Sequence, residues 1–414
     1  MKKTSIILSI IFSFTACELF PGLSLTRDFG GGDGSSSNPY QINTAKHLSN
    51  IANYPDAYFV LTADIDMTDI LWTPCSINGG LDGNYHSILN LTINPNITTE
   101  NVGLISELKS NSYIKNLLLK GVHINCPTLN NVGALVGSVD GYDVIIENCQ
   151  VHLYKEKAIY GKDCVGGLIG YVWNDITLTN CSVNATTSGH AIAGQSYVGG
   201  AIGYLNVNEV KDIHVTANLA AVGFCGGIAG YAESNTVQQL SYEGTITAYA
   251  GTSQDYGFGG LFGESSYITI INSKAKVQIN IDNNKAYVAG LVGYPRSTKI
   301  RACYSIGDIK GTITKEAYDD EHMTSFIGKS GNEITDCYTL MNYPLQGTSS
   351  YYTNNYGIYD LVKDWDNPIN IAEIMRASNA EYQQYWNFNN TWTWQGKANN
   401  ETVMAICPKM IWEQ

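Results

Sequence analysis

The chain has 414 residues, only 15% of them charged, with 41 glycines, 28 tyrosines and a formal net charge of −13. This acidity, with arginine confined to Arg27, Arg296, Arg301 and Arg376, excludes a phosphate-backbone binder, whose affinity rests on Lys and Arg, and an electrostatic binder of anionic lipid. A hydrophobic share of 44% excludes disorder, and low charge with abundant Gly and Tyr suits many short strands and turns.

Lys2-Lys3, the apolar run over residues 6–14 and the small pair Thr15-Ala16 read as an export signal over residues 1–16, too short to span a bilayer. Phe14-Thr15-Ala16-Cys17 resembles the lipobox of bacterial lipoproteins, with Phe14 where Leu is usual. The resemblance implies that Cys17 is lipidated and becomes the N-terminus, giving an exported lipoprotein of the outer membrane or cell surface. Residues 17–37 include Gly30-Gly31-Gly32-Asp33-Gly34-Ser35-Ser36-Ser37 and read as a flexible tether.

Residues 38–99 read as an N-terminal cap and first coils. Ala45, Leu48, Ile51 and Ala52 recur at helical spacing, and Asn43 or Thr44 can cap the start, so one short helix is expected over 44–52. Residues 58–67 then alternate, placing Asp64 and Asp66 on the wet side of a strand. Leu81-Asp82-Gly83-Asn84-Tyr85-His86 reads as a turn, and residues 87–93 as a further strand.

From 100 to 345 a unit recurs. Gly133-Ala-Leu-Val-Gly137, Gly167-Leu-Ile-Gly170, Gly200-Ala-Ile-Gly203, Gly227-Ile-Ala-Gly230, Gly260-Leu-Phe-Gly263 and Gly290-Leu-Val-Gly293 are its core, with weaker copies ending at Ser106 and Gly328. The last core positions are separated by 31, 33, 33, 27, 33, 30 and 35 residues. A second apolar run follows each core and reaches a shared position held by Leu117, Cys149, Cys181, Ile213, Leu240, Ser273, Cys303 and Cys337. A place shared by Cys, Leu and Ile is an inward one, where cysteine acts as a small hydrophobe rather than a disulfide or metal partner. Short strands with no helix between them, in units of about 30 residues, describe an all-β parallel β-helix, or solenoid, whose equivalent strands pair coil on coil.

Residues 346–414 break the period. Residues 370–375 read as helical, and Trp386, Phe388, Trp392 and Trp394 read as an aromatic-rich C-terminal cap packed on the last coil, with a sugar-stacking ligand platform as the alternative. With the N-terminal helix, this cap covers the solenoid ends.

The repeats resemble the GLUG motif, named for Gly-Leu-any-Gly, of bacterial surface proteins and of segments beside the catalytic parts of some immunoglobulin-A-cleaving metallopeptidases. Asn38-Pro39-Tyr40-Gln41-Ile42 and the segments at 61–66 and 81–86 are similar to the opening segment that often precedes such repeats. The resemblance implies a β-helical, cell-surface module linked with adhesion, and no particular ligand.

Chemistry is sparse. No His-Glu-x-x-His occurs among His47, His86, His123, His152, His190, His214 and His322, and no Gly-x-Ser-x-Gly or Gly-x-x-x-x-Gly-Lys-Ser/Thr is present. Asp319, Asp320, Glu321 and His322 are weak candidates for a cation or for acid–base work, since a solvated loop already explains the same residues. Tyr171, Tyr204, Tyr231 and Tyr294 each follow a terminal Gly, as a stacked ladder between coils or as an outward stripe for a ligand. No cofactor and no nucleic acid is expected; the expected partners are the membrane through the lipid anchor and a glycan or extracellular protein. The favoured reading is a non-catalytic, adhesin-like surface protein or scaffold, with a polysaccharide lyase or glycoside hydrolase and a purely structural envelope component as alternatives.

Overall fold

The computed structural model describes residues 28–311 apart from 175, 250–255 and 282–285, together with Ile327 and short strands between 323 and 410. Cys17, the export signal, the Asp319 to His322 cluster and the helix read at 370–375 lie outside the described residues. So does most of the C-terminal cap; of it, Trp392–Trp394 pairs antiparallel with Pro408–Met410.

The repeats are coils of a parallel β-solenoid. The coil from Asp163 illustrates them: Asp163–Gly166, the Gly-Leu-Ile-Gly turn, Ile169–Val172, a long bent strand Ile176–Ala185, and Ile192–Ala193. Each strand pairs in parallel with its counterpart in the next coil, so backbone N–H and C=O groups are satisfied by neighbours. Ile169 pairs with Ile202, Ile202 with Ala229, Ala229 with Phe262 and Phe262 with Val292, which reproduces the 33, 27, 33 and 30 residue steps of the sequence. The strands opening the motif form a separate seven-stranded sheet from Val132–Gly133 to Met323–Thr324.

Inside, columns of equivalent residues stack. Val165, Val198, Cys225, Phe258 and Val288 are fully buried, as are Leu168, Ala201, Ile228, Leu261 and Leu291. Volumes compensate between neighbours: Phe258 and Phe262 sit in register with the small Cys225 and Ala229, which keeps the interior filled without strain.

The shared Cys/Leu/Ile position is inward: Cys149, Cys181 and Cys303 are buried and are free thiols. Their role is also polar. The Sγ of each donates to the carbonyl of the residue two before it, at 3.3 Å to Glu147, 3.2 Å to Thr179 and 3.2 Å to Arg301, and the Ser273 hydroxyl does the same to Ile271 at 2.8 Å. The residue before each turns the corner with left-handed φ: Asn116 (52°), Asn148 (54°), Asn180 (51°), Asp212 (62°), Gln239 (58°), Asn272 (48°) and Ala302 (51°). Asn and Asp tolerate that region best among residues with a Cβ. The corner amides also bond from coil to coil. Asn116 Nδ2 donates to Asp82 at 3.0 Å, Asn148 to Asn116 at 3.0 Å and Asn180 to Asn148 at 2.5 Å.

The Asn272 Oδ1 is buried with no hydrogen-bond partner among the described residues, and the next corner, Ala302, has no amide to offer. Ala302→Asn therefore gains both a better corner residue and the missing donor. The expected result is stabilisation by about 1 kcal/mol, read as a higher urea midpoint with unchanged slope; no gain would mean that the ladder does not govern this corner.

The N-terminal end is built differently from the expectation. The helix is present as Ala45–Ser49 followed by a 3-10 turn Asn50–Asn53, with Thr44 Oγ1 accepting from the His47 N–H at 3.1 Å and Leu48 and Ile51 buried. Residues 28–37, however, are not a tether. They fold back as a hook along Tyr40–Ile42, the first strand: Gly30 N–H donates to the Gln41 carbonyl at 2.8 Å, and Gln41 N–H to the Gly31 carbonyl at 2.9 Å. Phe29 is 5% exposed and stacks on Tyr40 at 4.3 Å. The glycines serve this fold-back: Gly32 has φ +80°, and a Cβ there would overlap the Pro39 carbonyl. Asp64 and Asp66 face outward as expected but are engaged. Asp64 accepts from the Ser87 N–H at 2.8 Å and Asp66 from Asn90 at 2.9 Å and Thr68 at 2.7 Å, and these hydrogen bonds hold both carboxyls below the usual carboxylate range.

Candidate functional site: an aromatic ridge on the motif strands

Past the closing Gly of each Gly-Leu-x-Gly turn, the strand sets an outward residue before an inward one. In Ile169–Val172 the inward pair is Ile169 and Val172, and Tyr171 is half-buried on the outer face. Register carries this position through Glu107, Ser138, Tyr171, Tyr204, Tyr231, Glu264 and Tyr294. Tyr171 and Tyr204 stack with centroids 5.1 Å apart, and Tyr204 and Tyr231 at 4.4 Å with planes 12° apart. Three of the four tyrosines singled out in the sequence thus form a ladder. The fourth, Tyr294, is separated from it by Glu264 and packs near Tyr287 at 4.8 Å.

Other rings join the ladder. Tyr197 stacks on Phe224 at 5.2 Å and meets Tyr204 edge-on at 5.7 Å. Trp173, 52% exposed, lies parallel to Tyr171 within 6° and stacks on Tyr204 at 5.9 Å. These neighbours were not read from the sequence. Trp173 had a signal, since it follows Tyr171 by two residues and so shares its face; Glu264 had one too, standing immediately after Gly263 where other copies carry Tyr.

Polar groups border the rings. Tyr231 Oη donates to Glu233 at 2.7 Å. Burial pushes the Tyr204 phenol up to about 12, and burial with the Glu233 contact raises that of Tyr231 further, so both remain neutral donors at physiological pH. Glu264 is 5% exposed and pairs with Arg296 at 2.9 Å, while the Arg296 guanidinium also lies 5.0 Å from the Tyr294 ring centre. Burial raises the Glu264 carboxyl above its ordinary value, and Arg296 offsets this only partly.

A carboxyl whose folded value is raised contributes stability that is present below its unfolded value and lost as pH rises through the folded one. Glu264→Gln should therefore be more stable than the parent at pH 8, with the difference shrinking as the pH falls below the carboxylate range, measured by thermal unfolding at several pH values. A difference that grows on acidification would contradict this sign.

Among the described residues no group of three His, Cys, Asp or Glu side chains is placed to hold a metal ion. Lys299 and Arg301 are exposed on the strand Lys299–Arg301.

Fold and site together define a parallel β-solenoid of Gly-Leu-x-Gly coils with an aromatic outer ridge. The chain carries the GLUG motif, whose family model matches residues 163–188, the span that contains Tyr171 and Trp173. A provisionally named Gly-rich membrane protein of Evansella cellulosilytica is 35% identical over 159 residues, 35% of this chain and 18% of the relative. An immunoglobulin A1 protease of Streptococcus pneumoniae is 26% identical over 262 residues, 62% of this chain and 11% of the protease. The chain thus spans less than a fifth of the length of either relative. A solved Bacteroides ovatus protein, provisionally named an immunoglobulin A1 protease, is 19% identical with a TM-score of 0.43, over 94% of this chain and 96% of that one.

Proposed function

We propose that the chain is a non-catalytic, adhesin-like surface module that binds an extracellular ligand on the aromatic ridge and is tethered to the membrane by a lipid on Cys17. The observation that carries the reading is the half-exposed run of rings over successive coils, ending at Trp173 with 52% of its surface in water; isolated rings are common on surfaces, but a continuous ridge marks an interaction face. The names of the relatives, a membrane protein and an immunoglobulin A1 protease, agree with a location outside the cell. The protease likeness is confined to 11% of that protein and the sequence has no His-Glu-x-x-His, so the reading places this chain with the repeats rather than with peptide hydrolysis.

The mature chain applied to broad arrays of glycans and host extracellular proteins is expected to retain at least one ligand class, and silence on both arrays would refute the binding role. Lipid labelling in cells is expected to disappear in Cys17→Ala; labelling that persists would remove the anchor.

A further inference from the structure

One corner of the solenoid gathers lysines that have no acid to pair with. Lys109, Lys115, Lys162, Lys276 and Lys310 each form an ion pair with a carboxylate. Among the described residues Lys120, Lys155 and Lys157 form none. All three stand where Leu118–Lys120 turns into Ile124–Asn125 in one coil and Gln150–Leu153 into Ile159–Tyr160 in the next. Lys120 is the register partner of His152. In a chain of net charge −13, such a gathering runs against the general field.

The corner is also stepped. Leu89 pairs with Lys120 and Thr92 with His123, so those two coils turn with the same number of residues. The next coil takes more: residues 121–123 lie between Lys120 and Ile124, but residues 153–158 lie between their partners His152 and Ile159. The coil after it keeps the longer form, with residues 185–191 between Asn184 and Ile192. The longer corners therefore stand out over the shorter ones as a ledge. Tyr154, 50% exposed, opens the first of them, and its ring reaches over the preceding coil, since a Cβ on Gly121 would lie 3.7 Å from Tyr154 Cδ2. Lys155 and Lys157 are exposed beside this ring, and Lys120, Gly121 and His123 are partly exposed below it.

The cations reach one another's surroundings. Burial and the Lys155 ammonium lower the His123 imidazole, and burial and Lys120 lower that of His152. Nearby carboxyls are turned to other partners: Glu156 lies against Gly189 of the following coil, and Asp64 accepts from the Ser87 N–H at 2.8 Å. Ammoniums spread around an exposed ring suit a ligand that has separated negative charges and an apolar face. The acidity of the whole chain opposes a densely charged polyphosphate more than a saccharide chain with an acid group on some of its units.

We propose that this ledge is a docking surface for an anionic polysaccharide, whose acid groups pair with Lys120, Lys155 and Lys157 while a sugar C–H face lies on Tyr154. The surface is separate from the aromatic ridge, goes beyond the reading given above and stands or falls without it.

The test passes the full chain over immobilised polygalacturonate, alginate and dextran sulfate, with dextran as the uncharged reference and polyglutamate as an acidic peptide, at low and at physiological ionic strength. Retention is expected on at least one charged polysaccharide, absent on dextran, and weaker at higher salt. Lys120→Gln and Lys155→Gln should each weaken it about fivefold, and the triple variant with Lys157→Gln should abolish it with the melting temperature unchanged. Tyr154→Ala should weaken it without altering the salt dependence. Lys46→Gln, the same change of charge on the N-terminal helix, should leave it intact. No retention on any charged polysaccharide, retention that survives the triple variant, or equal losses in Lys46→Gln and Lys120→Gln would each overturn the surface. Stronger retention on polyglutamate, or full retention in Tyr154→Ala, would overturn the ligand class.

Discussion

Gly170→Ala is expected to cost about 3 kcal/mol or more, read as a large drop in urea midpoint, although it adds only one methyl group. The closing glycine of each motif lies against the backbone that opens the motif one coil earlier: Gly170 against Asn131 and Val132, Gly203 against Cys164 and Val165, Gly230 against Tyr197 and Val198. A Cβ at Gly170 would overlap the Asn131 carbonyl carbon and the Val132 nitrogen, and backbone atoms in a paired strand cannot step aside as a side chain can. None of these glycines has a positive φ, so the requirement is room and not backbone conformation. Gly189→Ala is the internal comparison. Its added Cβ would meet only the Glu156 side chain, at 2.8 Å from Cδ, a flexible exposed group, and a change within about 0.5 kcal/mol is expected. Equal effects at the two positions would refute the close-approach account.

Phe29→Ala is expected to release the N-terminal hook and convert the chain to concentration-dependent oligomers. Phe29 packs on Tyr40 at 4.3 Å, Tyr54 at 5.3 Å and Phe59 at 5.7 Å, and losing a buried Phe costs about 3 to 5 kcal/mol. That is comparable to what the remaining ties supply, the two backbone hydrogen bonds at Gln41, the Tyr58 N–H to the Gly34 carbonyl at 2.9 Å, and Asn50 and Tyr54 to Asp28 at 2.7 and 2.6 Å. With the hook detached, the outer edge of Tyr40–Ile42 presents unpaired N–H and C=O groups to other chains. Gly32→Val reaches the same state by a different route, since its side chain would collide with the Pro39 carbonyl. Light scattering across a range of concentrations checks both variants; monomers throughout would show that the helix at Ala45–Ser49 alone protects this end.

The solenoid was legible because stacking turns a structural requirement into a sequence period. The inward place of Cys149, Cys181 and Cys303 could be read from its sharing with Leu117, Ile213 and Leu240, because burial selects for size and apolarity. The hydrogen bond those thiols make could not, since it depends on the corner at the preceding residue, which Asn116, Asn148, Asn180, Asp212 and Asn272 advertise by composition but Gln239 and Ala302 do not. The hook was missed for a related reason: Gly30 to Ser37 has the composition of a linker, and its partner is a strand edge, which recognises backbone and leaves no side-chain pattern. In the candidate site, Tyr171, Tyr204 and Tyr231 were visible as a row. Where that row ends is set by what stands one coil away, Ser138 on one side and Glu264 on the other, and that follows from register rather than from any local motif.

The amide ladder from Asp82 to Asn180 gives way to Asp212, Gln239 and Ala302 at later corners, and this makes the molecule mechanically uneven along its axis. In a stack where each coil contacts only its neighbours, load applied along the chain is borne one interface at a time. Coils beyond Asn180, lacking the continuous asparagine seam, should yield before those that carry Tyr171 and Trp173. Each coil that peels away frees about 30 residues, or roughly 100 Å of contour length. A solenoid built in this way would lengthen in steps under shear while the coils up to Asn180 stay folded.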